Sequence, residues 1–474
     1  MSFEVVIGIE IHCELKTKTK MFSGAPVAFN QDANTCVSAV DMGFPGTLPS
    51  LNKQAVEMAV RTCMALDMQI EPLIRFDRKN YYYSDLPKGF QITQQFHPIG
   101  EHGQVAILVD GVAKKIGITR LHMEEDTAKQ FHYDDGTMID FNRAGTPLVE
   151  IVSEPDIRSG KEAAAYVEKL RSILYYLDVS DVKMEEGSMR CDVNISLRPH
   201  GSEQFGVKTE IKNLNSINNV QKAVEYEIER QTNLLLSGGV VKQETRRYDE
   251  TLKATISMRS KEGSVDYKYF PEPNIFPVRL DQAFIERVRS TLPELQNAKL
   301  ERFMNDYELS LYDASLLTQN KSTADFFDAV MKHTTLAKAA ANWILSELLA
   351  VLNKEGKTMD DNPVLPEHLA KLLNMIERQE ISGKQAKVVF EEVMKQKDPE
   401  LVVKEKGMTQ VSDEGALLQL INEVLAENEQ SIQDYKNGKD RAVGFLIGQI
   451  MKKSKGQANP ALTNTLLVKE LSKR

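Results

Sequence analysis

Val5-Val6-Ile7-Gly8-Ile9-Glu10-Ile11-His12-Cys13-Glu14-Leu15 alternates between apolar and polar positions. Val5, Ile7, Ile9, Ile11, Cys13 and Leu15 share one face and Gly8, Glu10, His12 and Glu14 the other, the pattern of a half-buried strand. One face belongs to a core. On the other, residues two apart point the same way with Cα atoms about 6.5–7 Å apart, so Glu10 and His12 can converge on one ion or one phosphate oxygen. Glu and His together suit a divalent metal. The same alternation also describes the wet face of an antiparallel sheet.

The pattern recurs along the chain. Leu148-Val149-Glu150-Ile151-Val152 sets a lone Glu in an apolar strand, where it needs a partner. From Met189 to Leu197, Cys191, Val193, Ile195 and Leu197 alternate with Arg190, Asp192, Asn194 and Ser196. Val207 to Lys212 places Lys208, Glu210 and Lys212 together, and the strand from Ile116 to Met123 leads into Glu124-Glu125-Asp126. Several strands thus offer charged residues on a polar face. Glu10, His12, Glu124, Glu125, Glu150, Asp192 and Glu210 are the candidate metal ligands, with Lys79, Lys88 and Arg190 as phosphate cations. Lys79 and Lys88 flank three consecutive tyrosines, Tyr81 to Tyr83, and decorating a rim is the alternative role for both.

Between these strands, Phe22 to Pro49 is rich in Gly, Pro, Asn and Ser and reads as a long irregular loop. Apolar periodicity predicts helices over Asn52 to Leu66, Lys161 to Leu177 and Asn218 to Leu236, the last stopped by Gly238-Gly239. From about 280 to 400 the periodicity is helical throughout, with Ser382 a good N-cap, and Val402 to Ser412 reads as a linker to a small helical tail. The fold class is α+β: a β-rich domain over 1–290, a helical domain over 291–404 and a helical tail domain over 405–474.

With 42% hydrophobic and 27% charged residues in 474, the chain has ample material for cores. No stretch approaches the roughly 20 apolar residues of a membrane span, and no basic, apolar signal sequence opens the chain. A cytoplasmic protein without a membrane partner is expected. Cys13, Cys36, Cys63 and Cys191 show no disulfide-like spacing, so free thiols are expected. The net charge of −9 argues against a broadly basic coat. Residues 436–474 nevertheless hold nine cations against two anions. Lys436, Lys439, Lys452, Lys453 and Lys455 there suit an RNA backbone, although a solvated helix end carries such charge too.

Several chemistries are excluded. No GxxxxGK[ST] loop is present, and the nearest stretch, Gly201 to Lys208, misses the spacing and precedes a strand. Neither a GxGxxG after a strand nor a GxSxG elbow occurs. A protein that handles nucleotide phosphates with these residues must use metals and a carboxylate-lined sheet.

Val6 to His12, Gly43-Phe44-Pro45-Gly46-Thr47-Leu48-Pro49, Lys79 to Gly89, His122 to Asp126, Asp140 to Glu150 and Arg190 to Asn194 closely resemble the GatB family, the B subunits of tRNA-dependent amidotransferases. The resemblance covers essentially the whole chain. Gly448 to Lys452 and Lys455 to Pro460 look like that family's YqeY-type RNA-binding domain. The resemblance implies a glutamine synthetase-like, β-rich catalytic cradle, then the helical domain, then a YqeY-like tRNA-binding tail.

It also implies a reaction. ATP phosphorylates the misacylated Glu on tRNA(Gln), or Asp on tRNA(Asn), and ammonia from the A-subunit glutaminase then displaces phosphate to give the amide. ATP and Mg2+ are the implied cofactors; the A subunit, the C subunit and misacylated tRNA are the implied partners. Glu10, His12, Glu125 and Glu150 become the leading catalytic and metal candidates. Lys79 and Arg190 are placed at phosphate, and Lys88 with Glu125 where ammonia enters. Many relatives carry a zinc knuckle of two cysteine pairs near the early loop, where only Cys36 stands here. One thiolate cannot make a tetrahedral site, so no zinc is expected. A non-catalytic tRNA-binding scaffold subunit and a free-standing glutamine synthetase-like ligase are the alternatives.

Overall fold

The computed structural model describes residues 2–260, 266–408, 413–436, 439, 441–454 and 457–473. The chain forms two compact units, Met1–Leu295 and Gln296–Arg474.

A nine-stranded sheet organises the first unit. Its strands are β1 (Phe3–Glu14), β2 (Gln69–Ile70), β3 (Gly100–Val109), β4 (Val112–Glu125), β5 (Pro147–Ser153), β6 (Met189–Pro199), β7 (Thr209–Lys212), β8 (Glu244–Asp249) and β9 (Ala254–Ser260). Across the sheet the order is β9-β8-β7-β6-β1-β5-β4-β3-β2, so the opening strand lies at the centre. Neighbours are antiparallel except β7 and β8.

The alternation seen in the sequence sets the two faces. Ile7, Ile9, Ile11 and Cys13 are at most 1% exposed; full burial of each such aliphatic side chain contributes about 1.5–3 kcal/mol. A one-residue slip would turn this row to the other face, which pins the register. Helices α1 (Lys53–Ala65), α2 (Gly160–Tyr176) and α3 (Ile217–Leu236) add to the same core, with α2 packed on α3 and β3, and α3 on β6 and β9. Side chains of Asn52, Ser159 and Ser216 accept the first free backbone N–H groups of the three helices.

A smaller three-stranded sheet, Phe270–Pro271, Asp77–Asn80 and Phe90–Thr93 in that order, joins the end of β4 through side-chain bonds described below. Residues 22–49 are irregular, yet Phe22 and Cys36 are buried. All four cysteines are free thiols in buried positions.

The second unit is helical and contains two separate cores, one built from residues between Phe303 and Val403 and one from residues between Leu417 and Leu471. Gln457 Nε2 donates to Gly407 O at 2.6 Å, and Asn459 Nδ2 to Gln379 Oε1 at 2.7 Å. The expected linker begins later than its sequence indicates. Residues 402–405 close the helix Pro399–Glu405, with Val402 and Val403 buried. Asp398 caps that helix and Pro399 starts it, which overrides the polar look of the stretch. Residues 409–412 of the linker lie outside the described residues. No helix among the described residues is long and apolar enough to cross a membrane.

Candidate active site

One rung of the sheet carries the site. His12 on β1 stands opposite Arg190 of β6 and Glu150 of β5, and Glu150 in turn stands opposite His122 of β4. Residues paired this way share a face. Glu150 Oε2 lies 3.2 Å from His12 Nε2 and 3.3 Å from His122 Nε2. Two residues along β4, Glu124 reaches the same imidazoles at 3.8 and 3.6 Å. Thr93 Oγ1 donates to Glu124 Oε2 at 3.4 Å, which links the smaller sheet to this rung. The lone Glu of the apolar strand has its partners: two histidines.

Ligand atoms of His12, Glu124 and Glu150 all lie within 4.8 Å of one another. One imidazole nitrogen and two carboxylates on a polar sheet face can share a divalent cation and leave positions for water or phosphate. Burial tunes the charges. It lowers the proton affinity of both imidazoles, but the charges and hydrogen bonds of Glu150 and Glu124 outweigh it, raising His12 and carrying His122 to about 9. Burial disfavours the Glu150 carboxylate too; the His122 charge and the bonds from both imidazoles hold it well below the usual carboxylate range. Without a cation, the cluster is held together by protonated histidine.

The other sequence-derived candidates divide into neighbouring groups. Glu10 occupies the same face one step along β1, where Asn194 Nδ2 donates to its Oε1 at 2.8 Å. Its pKa is raised, first by burial and then by the charges of Glu150 and Asp192. Asp192 and Glu210 share Lys212, whose Nζ is 2.6 and 3.2 Å from them. Glu125 does not join the histidines, because adjacent residues of a strand point to opposite faces. Its carboxylate meets Lys88 and accepts from Ile92 N at 3.0 Å. Arg190 extends to Asp126, 2.6 Å away. Lys79 Nζ sits 4.8 Å from the Tyr267 ring centre and 5.6 Å from that of Tyr81.

In the tail, Lys439 pairs with Asp434 at 3.0 Å, and Lys453 with Glu427 and Glu423 at 2.8 and 3.1 Å. Lys436 and Lys452 are exposed, and Lys455 lies outside the described residues. Surface pairs of this kind are weak and exchange readily for a phosphate partner.

His122 is the residue the sequence candidates lack. Its signal is present: it lies two residues before Glu124, so a strand running to Glu125 places both on one face. Several buried polar atoms of these strands have no hydrogen-bond partner among the described residues, namely His122 Nδ1, Arg120 Nε, Arg190 Nε and Asn194 Oδ1. Buried polar groups are normally satisfied, so this concentration marks a place for polar ligands. A cavity of about 470 Å³ opens beside the rung and is lined by His12, Arg190, Asp192 and Lys212, with Met184, Met189 and Leu214.

A family model described as the GatB/GatE catalytic domain matches residues 5–286, and one described as a GatB domain matches residues 325–471. Over 476 aligned positions spanning all of both chains, the sequence is 56% identical to proteins from Bacillus velezensis and Listeria welshimeri and 55% identical to one from Geobacillus thermodenitrificans. Each of these relatives is the B subunit of an aspartyl/glutamyl-tRNA(Asn/Gln) amidotransferase.

Proposed function

The chain belongs to the GatB/GatE family, and on that premise we propose that it is the B subunit of an amidotransferase that works on tRNA(Gln) and tRNA(Asn) carrying the wrong amino acid. The side-chain carboxylate of the esterified Glu or Asp attacks the γ-phosphorus of ATP, and ADP leaves. Ammonia from the A subunit's glutaminase then attacks the acyl phosphate; its C–O bond breaks, phosphate leaves, and a proton is lost to give the amide. The C subunit completes the assembly in the cytoplasm.

The observation that carries this reading is the convergence of His12, Glu124 and Glu150 on one polar rung in a chain of this family. The donor set of one imidazole and two carboxylates fits a divalent ion, and the unpartnered Nε–H groups of Arg120 and Arg190 beside it suit phosphate oxygens. His12, Glu124 and Glu150 would hold Mg2+, which supplies neutralisation of phosphate charge when bound. Arg190 on the rung and Lys79 on the smaller sheet add positive charge for phosphate. Glu10, with Asn194 oriented on it, places a further carboxylate at the same face, and Asp192 and Glu210 keep Lys212 in position beside the cavity. Lys88 and Glu125 form a polar gate on the route by which ammonia enters.

The architecture follows the same reading: a glutamine synthetase-like catalytic cradle over 1–290, a helical domain over 291–404, and a YqeY-like tail over 405–474 whose lysines meet the tRNA backbone. The test uses the assembled heterotrimer with ATP, magnesium, glutamyl-tRNA(Gln) and ammonium salt, without glutamine. Wild type is expected to give amidated tRNA and ADP, and Glu10→Ala and Glu150→Ala to lose at least about a hundredfold, within the range of lost electrostatic stabilisation. Full activity in both variants would move the phosphorylation site elsewhere.

A further inference from the structure

An aromatic surface beside the active rung has no role in the reading above. Tyr81 packs against Tyr83 and Tyr267 with ring centres 6.1 and 5.8 Å apart. Tyr267 continues to Tyr269 at 5.9 Å, and Tyr269 to Phe96 at 6.3 Å. The series ends exposed: Tyr83 is 58% and Phe96 56% accessible. Between these ends Tyr81, Tyr267 and Tyr269 are half-buried, and a contiguous run of rings that reaches the surface marks a binding surface rather than a core.

Strand pairing relates this run to the chemistry. In the smaller sheet Asp77 pairs with Thr93 and Lys79 with Gln91, so Lys79 shares a face with Thr93, whose hydroxyl reaches Glu124. Gln91, on that face too, donates from Nε2 to Glu125 O at 2.7 Å. Burial pushes the Tyr269 phenol up to about 12, with Tyr267 and the carboxylates of Glu124 and Glu150 adding to the effect. Lys79 rests over two of the rings and, among the described residues, has no carboxylate within 4.0 Å.

We infer that Tyr81, Tyr267 and Tyr269, with Lys79, form a stacking subsite for the single-stranded 3′ end of the aminoacylated tRNA. This rests on the amidotransferase reading and names the substrate part that the site must hold. The reacting carboxyl belongs to an amino acid esterified to the terminal ribose, so covalent geometry keeps that ribose within roughly 5–7 Å of the chemistry and its base just beyond. Of the surfaces beside the rung, the cavity next to Arg190 and Lys212 offers no Phe, Tyr or Trp ring among the described residues, and the tyrosine run does. Aromatic rings with a nearby unpaired cation are what an unpaired base and its phosphate require. The run continues outward for the preceding nucleotides, while a helical acceptor stem offers no exposed base faces to such rings.

The test uses the assembled heterotrimer and two measurements. In the first, glutamyl-tRNA amidation is followed with ammonium as donor for wild type, Tyr267→Leu, Tyr269→Leu and the corresponding Phe variants. Leu is expected to raise KM for glutamyl-tRNA about tenfold while KM for ATP stays unchanged, and Phe to restore it, because the ring face is retained. In the second, tRNA with 2-aminopurine as its terminal base is expected to lose fluorescence on binding wild type, by stacking. An inactive wild-type assembly would refute the amidotransferase reading itself. An active one with no quenching, or with Leu variants indistinguishable from wild type, would overturn only the stacking subsite. Leu variants that no longer assemble with the A and C subunits would assign the surface to a protein partner and likewise overturn it.

Discussion

Lys88 places its ammonium nitrogen 2.5 Å from both carboxylate oxygens of Glu125, and neither side chain is more than 13% exposed. A buried pair of this kind contributes little over an apolar replacement, but removing one partner strands the other charge. Lys88→Met is therefore expected to destabilise the protein by about 3–5 kcal/mol. Adding Glu125→Gln, which keeps an acceptor for Ile92 N, should recover most of the loss. Urea denaturation followed by far-ultraviolet circular dichroism measures both, and equal losses in the single and double variants would exclude the pair as the cause.

His122 is expected to act through Glu150 rather than on substrate. Residues that orient a ligating carboxylate typically cost 10–100-fold in metal affinity or activity when lost. His122→Ala should weaken Mn2+ binding, read by electron paramagnetic resonance, and lower amidation in that range. Unchanged affinity would leave His122 a structural neighbour only.

The raised histidines fix a pH dependence. Proton affinity of His122 rises from 6.5 to about 9 in the folded, metal-free protein. Its contribution to stability is complete below about 6.5 and is lost as pH rises through about 9. Metal binding runs the other way. His12 must be neutral to ligate, and a bound cation repels the proton on His122, so affinity should climb with pH up to about 9 and then level off. Calorimetric titration with Mn2+ in buffers of different ionisation enthalpy counts the protons released near pH 7. A count of zero would contradict the assignment.

Gly160 opens α2 where that helix meets α3, and a Cβ there would lie 2.7 Å from Gln221 O and 2.8 Å from Glu225 Cγ. Alanine ordinarily stabilises a helix position by about 0.5–1 kcal/mol over glycine. Here the sign should reverse, to a loss of about 1–3 kcal/mol, because the obstacle includes backbone. Thermal melting of Gly160→Ala decides it; a higher Tm would mean that the helices part without cost.

Lys436 and Lys452 are exposed on the tail helices Glu429–Lys436 and Arg441–Lys453. If they meet phosphate, changing each to Gln should weaken tRNA binding and lower the slope of log affinity against log salt by about one. Filter binding across a KCl series is the measurement. An unchanged slope would place the RNA contact elsewhere.

The sequence by itself determined the faces of the sheet. Alternation in Val5–Leu15, Leu148–Val152 and Met189–Leu197 requires only local backbone geometry and the preference of apolar side chains for burial, so Ile7, Ile9, Ile11 and Cys13 fell into the core and Glu10 and His12 onto the opposite, polar face. The three long helices were legible within a residue or two for the same reason, each with a capping side chain next to its first turn. Residues 402–405 were not, since Asp398 and Pro399 matter there more than composition. The motifs likewise carried the family, which 56% identity to a relative across the whole chain establishes.

Which polar residues meet was decided by tertiary structure alone. Alternation places Glu10, His12, Glu150, Asp192 and Glu210 on polar faces, but strand order and register choose among them. Because β1 lies between β5 and β6, and β5 beside β4, His12 and His122 close on Glu150 while Asp192 and Glu210 turn to Lys212. Glu124 and Glu125 are adjacent in sequence and separated by the sheet itself, one facing the histidines and the other Lys88. Register is a property of pairing between distant segments, fixed by how their apolar rows share one core, and no single strand contains it.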